Sequence, residues 1–247
     1  MLRVAVVIPA KNEQARIAAT VGGAASIPGV ELVVVVDDGS RDATAAAAHE
    51  AGAVVIQHAR NQGKGAAMHS GAAAVDEIDR RRPAGDALHA LLFLDGDLED
   101  TAAAAGPLVD PVRDGTADMT IATLPRQRTE GGGHGLVVRL ARSGIKRTTG
   151  WEPTQPLSGQ RCLTRTAFQA ALPLAAGFGV EVGMTIDLLQ QGYRVREVEV
   201  PFQHRVTGAD WRSQAHRGRQ WLDVARALAR RGVVPVGLLP TGNRPQH

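Results

Sequence analysis

Short apolar runs alternate with alanine-rich segments through the first half of the chain. The runs are continuous, as expected for strands that are buried on both faces of a parallel sheet. They occupy residues 2–8, 32–36, 54–56 and 91–94. The segments between them have high helix propensity and occupy residues 13–25, 42–51 and 64–82. This order predicts right-handed crossovers and an α/β fold with a doubly wound, mostly parallel sheet.

The second half of the chain is less regular. Strands are predicted at residues 117–124, 157–163 and 195–200, and helices at residues 136–148, 180–190 and 214–231. A polar segment with three consecutive glycines predicts a loop at residues 126–135. Residues 232–247 are rich in proline and glycine, so we expect them to form a loose tail.

Composition and charge narrow the classes of protein. The single cysteine, Cys162, excludes an internal disulfide, and no apolar run approaches the roughly 20 residues that span a bilayer. No N-terminal signal segment is visible, so we expect a cytoplasmic protein. Seven arginines and only two acids lie between Arg205 and Arg231. This basic stretch suits a phosphate-bearing acceptor, an anionic membrane surface or nucleic acid, or is simply a solvated helix face.

Two aspartates follow the apolar run at residues 91–94. Asp95 and Asp97 flank Gly96, and residues two apart in an extended segment point to the same side. Their carboxylates can therefore converge on one cation, and oxygen ligands favour Mg²⁺ or Mn²⁺. The alternative is a plain surface turn, because Asp-Gly-Asp is ordinary turn chemistry.

The ends of the other strands and the segment at residues 61–65 supply further candidates for ligand contact. They are Pro9, Ala10, Glu13, Asp38, Gly63 and Lys64. Asp38 can accept hydrogen bonds from a ribose or a base, or can cap the next helix in competition with Ser40 or Asp42. Glu13 can bind the nucleotide or favour a helix start by its charge. Lys64 opens a helix after a glycine, so its ammonium and nearby amides can face a phosphate.

Four motifs in chain order resemble those of family 2 glycosyltransferases with the GT-A fold. They are IPAKNE at residues 8–13, VDDGSRD at 36–42, NQGKG at 61–65 and LDGDL at 94–98. The resemblance implies that Pro9, Glu13 and Asp38 line a nucleotide site and that Lys64 lies near the base or phosphates. It also implies that Asp95 lies near a nucleotide-sugar donor and that Asp97 binds a metal ion.

The same resemblance implies a domain organisation. Residues 1–231 would form a single GT-A domain, with a nucleotide-sugar-binding half at 1–124 and an acceptor half at 125–231. Residues 156–161 and 177–183 resemble acceptor-side segments of glucosyl-3-phosphoglycerate synthases, and polyprenol-phosphate sugar transferases share the plan of this region. Ser158 and Gly159 would therefore contact substrate. The chain departs from the synthases at Gln160 and Arg161, where they typically carry acidic and aromatic residues.

Further acceptor-side residues follow from this region. His204 matches a histidine that completes the metal site of the synthases, and imidazole suits Mn²⁺ as well as Mg²⁺. Arg205 and Arg217 can hold an acceptor phosphate in bidentate fashion. Glu181 opens a helix and can act as a general base, bind a hydroxyl or cap the helix.

The leading hypothesis is metal-dependent transfer of a sugar from a UDP- or GDP-linked donor, with Asp97 and Glu181 as catalytic residues. The acceptor would be a small phosphorylated metabolite or a polyprenyl phosphate. We expect no nucleic-acid partner, and both a homodimer and peripheral contact with the inner membrane face fit the sequence. The alternatives are a nucleotidyltransferase, whose usual glycine-rich basic loop is missing after the first strand, and a non-catalytic sugar-nucleotide-binding protein.

Overall fold

The computed structural model describes residues 2–83, 85–124, 135–202 and 211–233, with backbone alone for 211–217 and 219. Within these ranges seven strands form one sheet in the order β3-β2-β1-β4-β6-β5-β7. The strands are β1 (Val4–Ala10), β2 (Val30–Asp37), β3 (Val54–Gln57), β4 (Ala90–Phe93), β5 (Met119–Thr123), β6 (Arg161–Leu163) and β7 (Val195–Glu199). Only β6 runs antiparallel to its neighbours β4 and β5. The predicted α/β fold with a mostly parallel sheet is confirmed.

Helices cover both faces of the sheet. They are α1 (Ile17–Ala25), α2 (Thr44–Glu50), α3 (Lys64–Arg80), α4 (Gly106–Arg113), α5 (Leu136–Thr149), α6 (Arg165–Ala170), α7 (Val180–Gln190) and α8 (Trp211–Ala229). Helices α1, α2 and α4 pack on one face, and α3, α6 and α7 pack on the other. Helices α5 and α8 form a further apolar cluster with α7. Among the residues that the structure describes, no helix combines the length and the hydropathy of a membrane-spanning segment.

The interior strand β1 shows why the apolar runs of the sequence are continuous. Val4, Val6 and Ile8 belong to one core cluster, and Ala5 and Val7 belong to the cluster on the opposite face. Because successive side chains of a strand point to opposite faces, both sets must be apolar when helices cover both faces. Burying a valine or isoleucine side chain contributes about 1.5–3 kcal/mol to the free energy of unfolding.

Several predicted boundaries differ from the structure for local reasons. The strand predicted at residues 157–163 is reduced to β6, because residues 156–160 form a loop that faces the site. The helix predicted from residue 13 begins at Ile17. Helix α4 was not predicted, since Pro111 lies inside it and proline ordinarily interrupts a helical pattern. Most of the predicted loop at 126–135 and most of the tail at 232–247 lie outside the described residues.

Candidate active site

The loops that follow β1, β2 and β4 meet at one edge of the sheet. Strand β1 lies between the other two in parallel register, with Ala10 opposite Asp37 and Val7 opposite Phe93. The backbone amide of Asp38 donates to the carbonyl oxygen of Ala10 at 2.9 Å. Ligands bind beyond the carboxyl ends of strands in such sheets, so this edge is the candidate site.

The loop after β1 is fastened to the loop after β2 by reciprocal hydrogen bonds. The amide of Asn12 donates to Ser40 Oγ at 2.9 Å, and the amide of Arg41 donates to Asn12 Oδ1 at 2.9 Å. The amide of Glu13 donates to Thr44 Oγ1 at 2.8 Å. These contacts fix Glu13 at the rim of the site.

The Asp95–Gly96–Asp97 turn lies against the end of β1. A Cβ atom placed on Gly96 would lie 3.3 Å from Ala10 Cβ, 3.4 Å from Glu13 Cγ and 3.5 Å from the carbonyl oxygen of Pro9. The buried Thr20 hydroxyl donates to the Gly96 carbonyl oxygen at 3.0 Å. The structure therefore brings Pro9, Ala10, Glu13 and the turn together, and sequence reasoning missed Thr20, which nothing in its helix distinguishes.

Negative charge accumulates where Glu13 faces this turn. Burial raises the pKa of Glu13, the neighbouring Arg16 opposes that rise, and repulsion from Asp97 and Asp42 adds to it. Asp97 itself is exposed to solvent. Two carboxylates that repel each other at a strand end make a favourable environment for a cation.

Lys64 joins this turn to helix α7. Its Nζ lies 2.7 Å from Asp95 Oδ1 and 3.0 Å from Glu181 Oε1. Burial alone would lower the pKa of Lys64, but attraction to Asp95 and Glu181 outweighs it and raises the pKa. A Cβ atom on Gly159 would lie 2.3 Å from the Lys64 ammonium nitrogen, so a larger residue there would displace the ammonium. Lys64, Asp95, Gly159 and Glu181 thus share one cluster.

Gln160 also contacts Asp95. Its Nε2 donates to Asp95 Oδ2 at 2.6 Å, and its Oε1 accepts a hydrogen bond from Ser158 Oγ at 3.1 Å. An acidic residue at position 160 would repel Asp95, whereas an amide donates to it. Sequence reasoning noted Gln160 only as a departure from the synthases and missed this contact.

The buried Arg161 ties the loop at residues 156–158 to helix α7. Its guanidinium donates to the carbonyl oxygens of Ser158 at 2.9 Å, Pro156 at 3.2 Å and Glu181 at 3.0 Å. It also donates to Thr185 Oγ1 at 2.8 Å. Burial lowers the pKa of Arg161 to about 10, so the side chain stays charged at neutral pH.

The carboxylate of Asp38 is turned toward the protein. It accepts hydrogen bonds from the backbone amides of Gln62 at 2.7 Å and Gly63 at 2.8 Å, and it contacts His58 Nδ1 at 2.8 Å. Burial opposes ionisation, but these hydrogen bonds lower the pKa of Asp38. Asp38 does not cap α2, whose N-cap residue is Ala43. The aspartate therefore fixes the loop that presents Lys64.

A cavity of about 850 Å³ lies beyond the ends of β1, β2 and β3. Asp37, rather than Asp38, is among its lining residues, and Lys11, Arg41 and Arg60 give it positive charge. Gly39 has a positive φ of 71°, and a Cβ atom there would lie 2.7 Å from the carbonyl carbon of Arg60. Glycine is therefore required at the point where two walls of the cavity touch.

Part of the predicted site falls on residues of which nothing can be described. His204 and Arg205 lie outside the described residues, and the side chain of Arg217 does as well. Across residues 2–83, 85–124, 135–202 and 218–233, no group of three or more metal-binding side chains converges. Asp97 supplies an exposed carboxylate, which fits Mg²⁺ or Mn²⁺, because these ions take few protein ligands and leave positions for substrate phosphates.

Comparisons with known proteins bear on this site. The family model described as "Glycosyl transferase family 2" matches residues 5–169. The glycosyltransferase AglJ of Haloferax volcanii is 28% identical over 216 residues, which cover 84% of this chain, and the chain spans 65% of the length of that relative.

Two solved structures show the same fold as this chain. Glucosyl-3-phosphoglycerate synthase from Mycobacterium tuberculosis in complex with phosphoglyceric acid superposes with a TM-score of 0.74 at 25% identity, covering 96% of this chain and 82% of that one. The same enzyme in complex with Mn²⁺, UDP and glucosyl-3-phosphoglycerate gives a TM-score of 0.75 at 25% identity, with the same coverage.

Proposed function

Since the chain belongs to glycosyl transferase family 2, we propose that it transfers a sugar from a UDP- or GDP-linked donor to a phosphate-bearing acceptor. The resemblance to family 2 and the GT-A fold are confirmed by the family match and the shared fold. The acceptor is a small phosphorylated metabolite or a polyprenyl phosphate, both of which offer an anionic phosphate.

One observation carries this proposal: Lys64 contacts Asp95 and Glu181 at the same time. Asp95 belongs to the turn that resembles the donor motif of the family, and Glu181 begins the helix of the acceptor half. The ammonium therefore lies where a donor and an acceptor would meet. Lys64 is also the first residue of the 17-residue helix α3, whose N-terminal amides attract phosphate.

The carboxylate of Asp97 would hold the Mg²⁺ or Mn²⁺ ion, with His204 as a further ligand. Such an ion neutralises the charge that develops on a departing diphosphate. Mn²⁺ together with UDP is bound by the synthase of similar fold, which supports the assignment. Lys64 adds a fixed positive charge beside the same phosphates, and a charge that is already in position stabilises the transition state most effectively.

The residues around these groups have supporting roles in the proposal. Glu13 and the cavity beside Asp37 bind the nucleoside, while Asp38 holds the loop of Gly63 and Lys64. Ser158 and Gly159 face the acceptor. Arg205 and Arg217 bind its phosphate, as guanidinium groups do in bidentate geometry.

Glu181 belongs to the acceptor side of the proposed site. It is 5% exposed and paired with Lys64, so its carboxylate is held in place. If the nucleophile is a phosphate oxygen, no general base is needed, because the phosphate is already ionised near neutral pH. If the nucleophile is a hydroxyl, Glu181 is the residue placed to accept its proton.

We infer that residues 1–231 form a single domain, with a donor half at 1–124 and an acceptor half at 125–231. The continuous sheet supports this, since β5 from the first half pairs with β6 and β7 from the second. Residues 232–247 would follow it as a tail. A homodimer and peripheral membrane contact stay predictions.

The test is a donor screen with UDP-glucose and GDP-mannose in the presence of MnCl₂, with 3-phosphoglycerate and a polyprenyl phosphate as acceptors. We expect one donor to be consumed and Asp97→Asn to lower kcat by about 100-fold or more. Asp114→Asn is the matched control, because Asp114 is an exposed residue between α4 and β5, near the amino-terminal end of β5 and so opposite the candidate site. If Asp97→Asn kept the wild-type kcat, the assignment of Asp97 as a metal ligand would be wrong. If the wild-type protein consumed no donor, the proposed function would be wrong.

A further inference from the structure

His58 connects two elements that position the start of helix α3. Its Nδ1 lies 2.8 Å from Asp38 Oδ1, and its Nε2 lies 2.9 Å from Ser70 Oγ. The side chains of His58 and Asp38 are only 6% and 8% exposed. Water therefore competes weakly for these hydrogen bonds, which makes them effective in holding geometry.

The direction of the hydrogen bonds follows from the chemistry of the three groups. A carboxylate only accepts, so His58 Nδ1 must carry the proton that is donated to Asp38. In a neutral imidazole Nε2 then accepts, and the Ser70 hydroxyl donates to it. Asp38 thus fixes the tautomer of His58, and Ser70 fixes its ring orientation.

Both ends of this chain of hydrogen bonds act on the segment that carries Lys64. At one end, Asp38 binds the backbone amides of Gln62 and Gly63, immediately before Lys64. At the other end, Ser70 lies on α3, the helix that Lys64 opens. The first turn of α3 is therefore held from its preceding loop and from its own body.

We propose that His58 is a positioning residue, which keeps Asp38 on the backbone of residues 62 and 63 and thereby holds Lys64 between Asp95 and Glu181. Its effect on nucleotide binding rests on the roles proposed above for Lys64 and for the cavity beside Asp37, which His58 also lines. Its effect on the position of residues 62 and 63 is independent of the proposed function. Nothing in the family motifs points to His58, which lies between the second and third of them.

The test compares variants by hydrogen exchange in the segment 59–65 and by calorimetry with UDP and GDP in MnCl₂. In His58→Ala we expect the Gln62 and Gly63 amides to exchange about 5- to 10-fold faster than in wild type. This factor corresponds to the stability that one ordinary hydrogen bond contributes. We expect affinity for the bound nucleotide to fall about 10-fold or more, because a displaced charge binds phosphate poorly.

Two substitutions distinguish positioning from general destabilisation. The side-chain amide of His58→Asn can occupy the place of Nδ1 and donate to Asp38, so this variant should restore slow exchange and nucleotide affinity. Ser70→Ala should show a smaller increase in exchange. His69→Ala is the matched control, since His69 is an exposed histidine on the same helix, and it should behave as wild type.

The outcomes separate this inference from the proposed function. Wild-type exchange in His58→Ala, or no recovery in His58→Asn, would overturn the inference even if the enzyme transfers sugar. If the wild-type protein binds neither nucleotide, the proposed function fails, and the exchange data still decide whether His58 holds the loop.

Discussion

Glu181 Oε1 lies 3.0 Å from Lys64 Nζ, and this ion pair joins the first turn of α7 to the first turn of α3. The two helices belong to different halves of the chain, and the glutamate side chain is only 6% exposed. Because Lys64 also contacts Asp95, one ammonium balances two carboxylates. A substitution of any one of these three residues should therefore alter the electrostatic environment of the other two.

Lys64→Met should destabilise the protein by about 1–3 kcal/mol at neutral pH, because it removes the ammonium that pairs with both the Asp95 and the Glu181 carboxylates. The pKa of Lys64 is raised above its usual 10.5. A raised pKa contributes stability that is fully present below 10.5 and is lost as the pH rises through the folded-state value. The free energy of unfolding, measured with urea, should thus be lower than that of wild type by a constant amount between pH 7 and about 10. The difference should become smaller only above that pH.

Lys146→Met is the control for that experiment. Lys146 pairs with Glu152, and both side chains are more than half exposed, so removal of the pair should cost less than about 1 kcal/mol. An equal loss of stability in the two variants would contradict the view that Lys64 balances buried charge.

Arg161→Lys should destabilise the protein by about 2–4 kcal/mol, although it conserves the charge. A lysine ammonium cannot reproduce the fork with which the guanidinium binds Ser158, Pro156 and the backbone of Glu181, so buried carbonyl groups lose their partners. The change in stability is measured as a shift in the midpoint of unfolding by guanidinium chloride, followed by circular dichroism. Arg139→Lys, at an exposed position of α5, should leave the midpoint within error, and an equally small shift in Arg161→Lys would contradict the assignment.

Asp38→Asn should weaken the acid sensitivity of the fold. The pKa of Asp38 is lowered from 3.8 by its hydrogen bonds, so its contribution is present above pH 3.8 and is lost as the pH falls through the folded-state value. We expect the variant to be less stable than wild type by about 1–3 kcal/mol at pH 7, and we expect this difference in the free energy of unfolding to be smaller at a pH below 3.8. Asp100→Asn, at an exposed residue, should differ little from wild type at either pH.

The sequence was sufficient to predict the sheet and the edge where the candidate residues meet. Continuous apolar runs identify strands that are covered on both faces, and parallel strands place their carboxyl ends together. Glu13 and Asp95 could therefore be assigned to one edge without knowledge of any contact between them. The position of Glu13 beside Gly96 follows from the register of β1 and β4.

Contacts between side chains that are distant in the sequence were beyond this reasoning. Thr20, His58 and Arg161 hold the site through buried hydrogen bonds to segments on other elements. Each has an ordinary local pattern, so no periodicity or spacing marks it. The partners of Asp38 were missed for the same reason, since the loop that it binds is brought to it only by the crossover between β3 and α3.

Gly159→Ala tests the geometry of the Lys64 cluster with a single methyl group. The added Cβ would lie 2.3 Å from Lys64 Nζ and 2.9 Å from Asp95 Oδ1, so the ammonium and the carboxylate must shift from their present positions. The atoms that must give way are ends of side chains, and we therefore expect little loss of melting temperature. Because a displacement of about 1 Å can cost 100-fold in rate, kcat/KM for donor consumption should fall by about 10- to 100-fold.

Gly22→Ala provides the matched control, because a Cβ atom on Gly22 meets nothing within 4 Å. Gly22 lies inside α1, where alanine is favoured over glycine by up to about 1 kcal/mol. That variant should melt at or above the wild-type temperature and keep wild-type kcat/KM. If Gly159→Ala also kept wild-type kcat/KM, the contact of Lys64 with Asp95 would be irrelevant to donor chemistry. If instead Gly159→Ala lost activity only in proportion to unfolding, the methyl group would be acting on the fold and not on the placement of the ammonium.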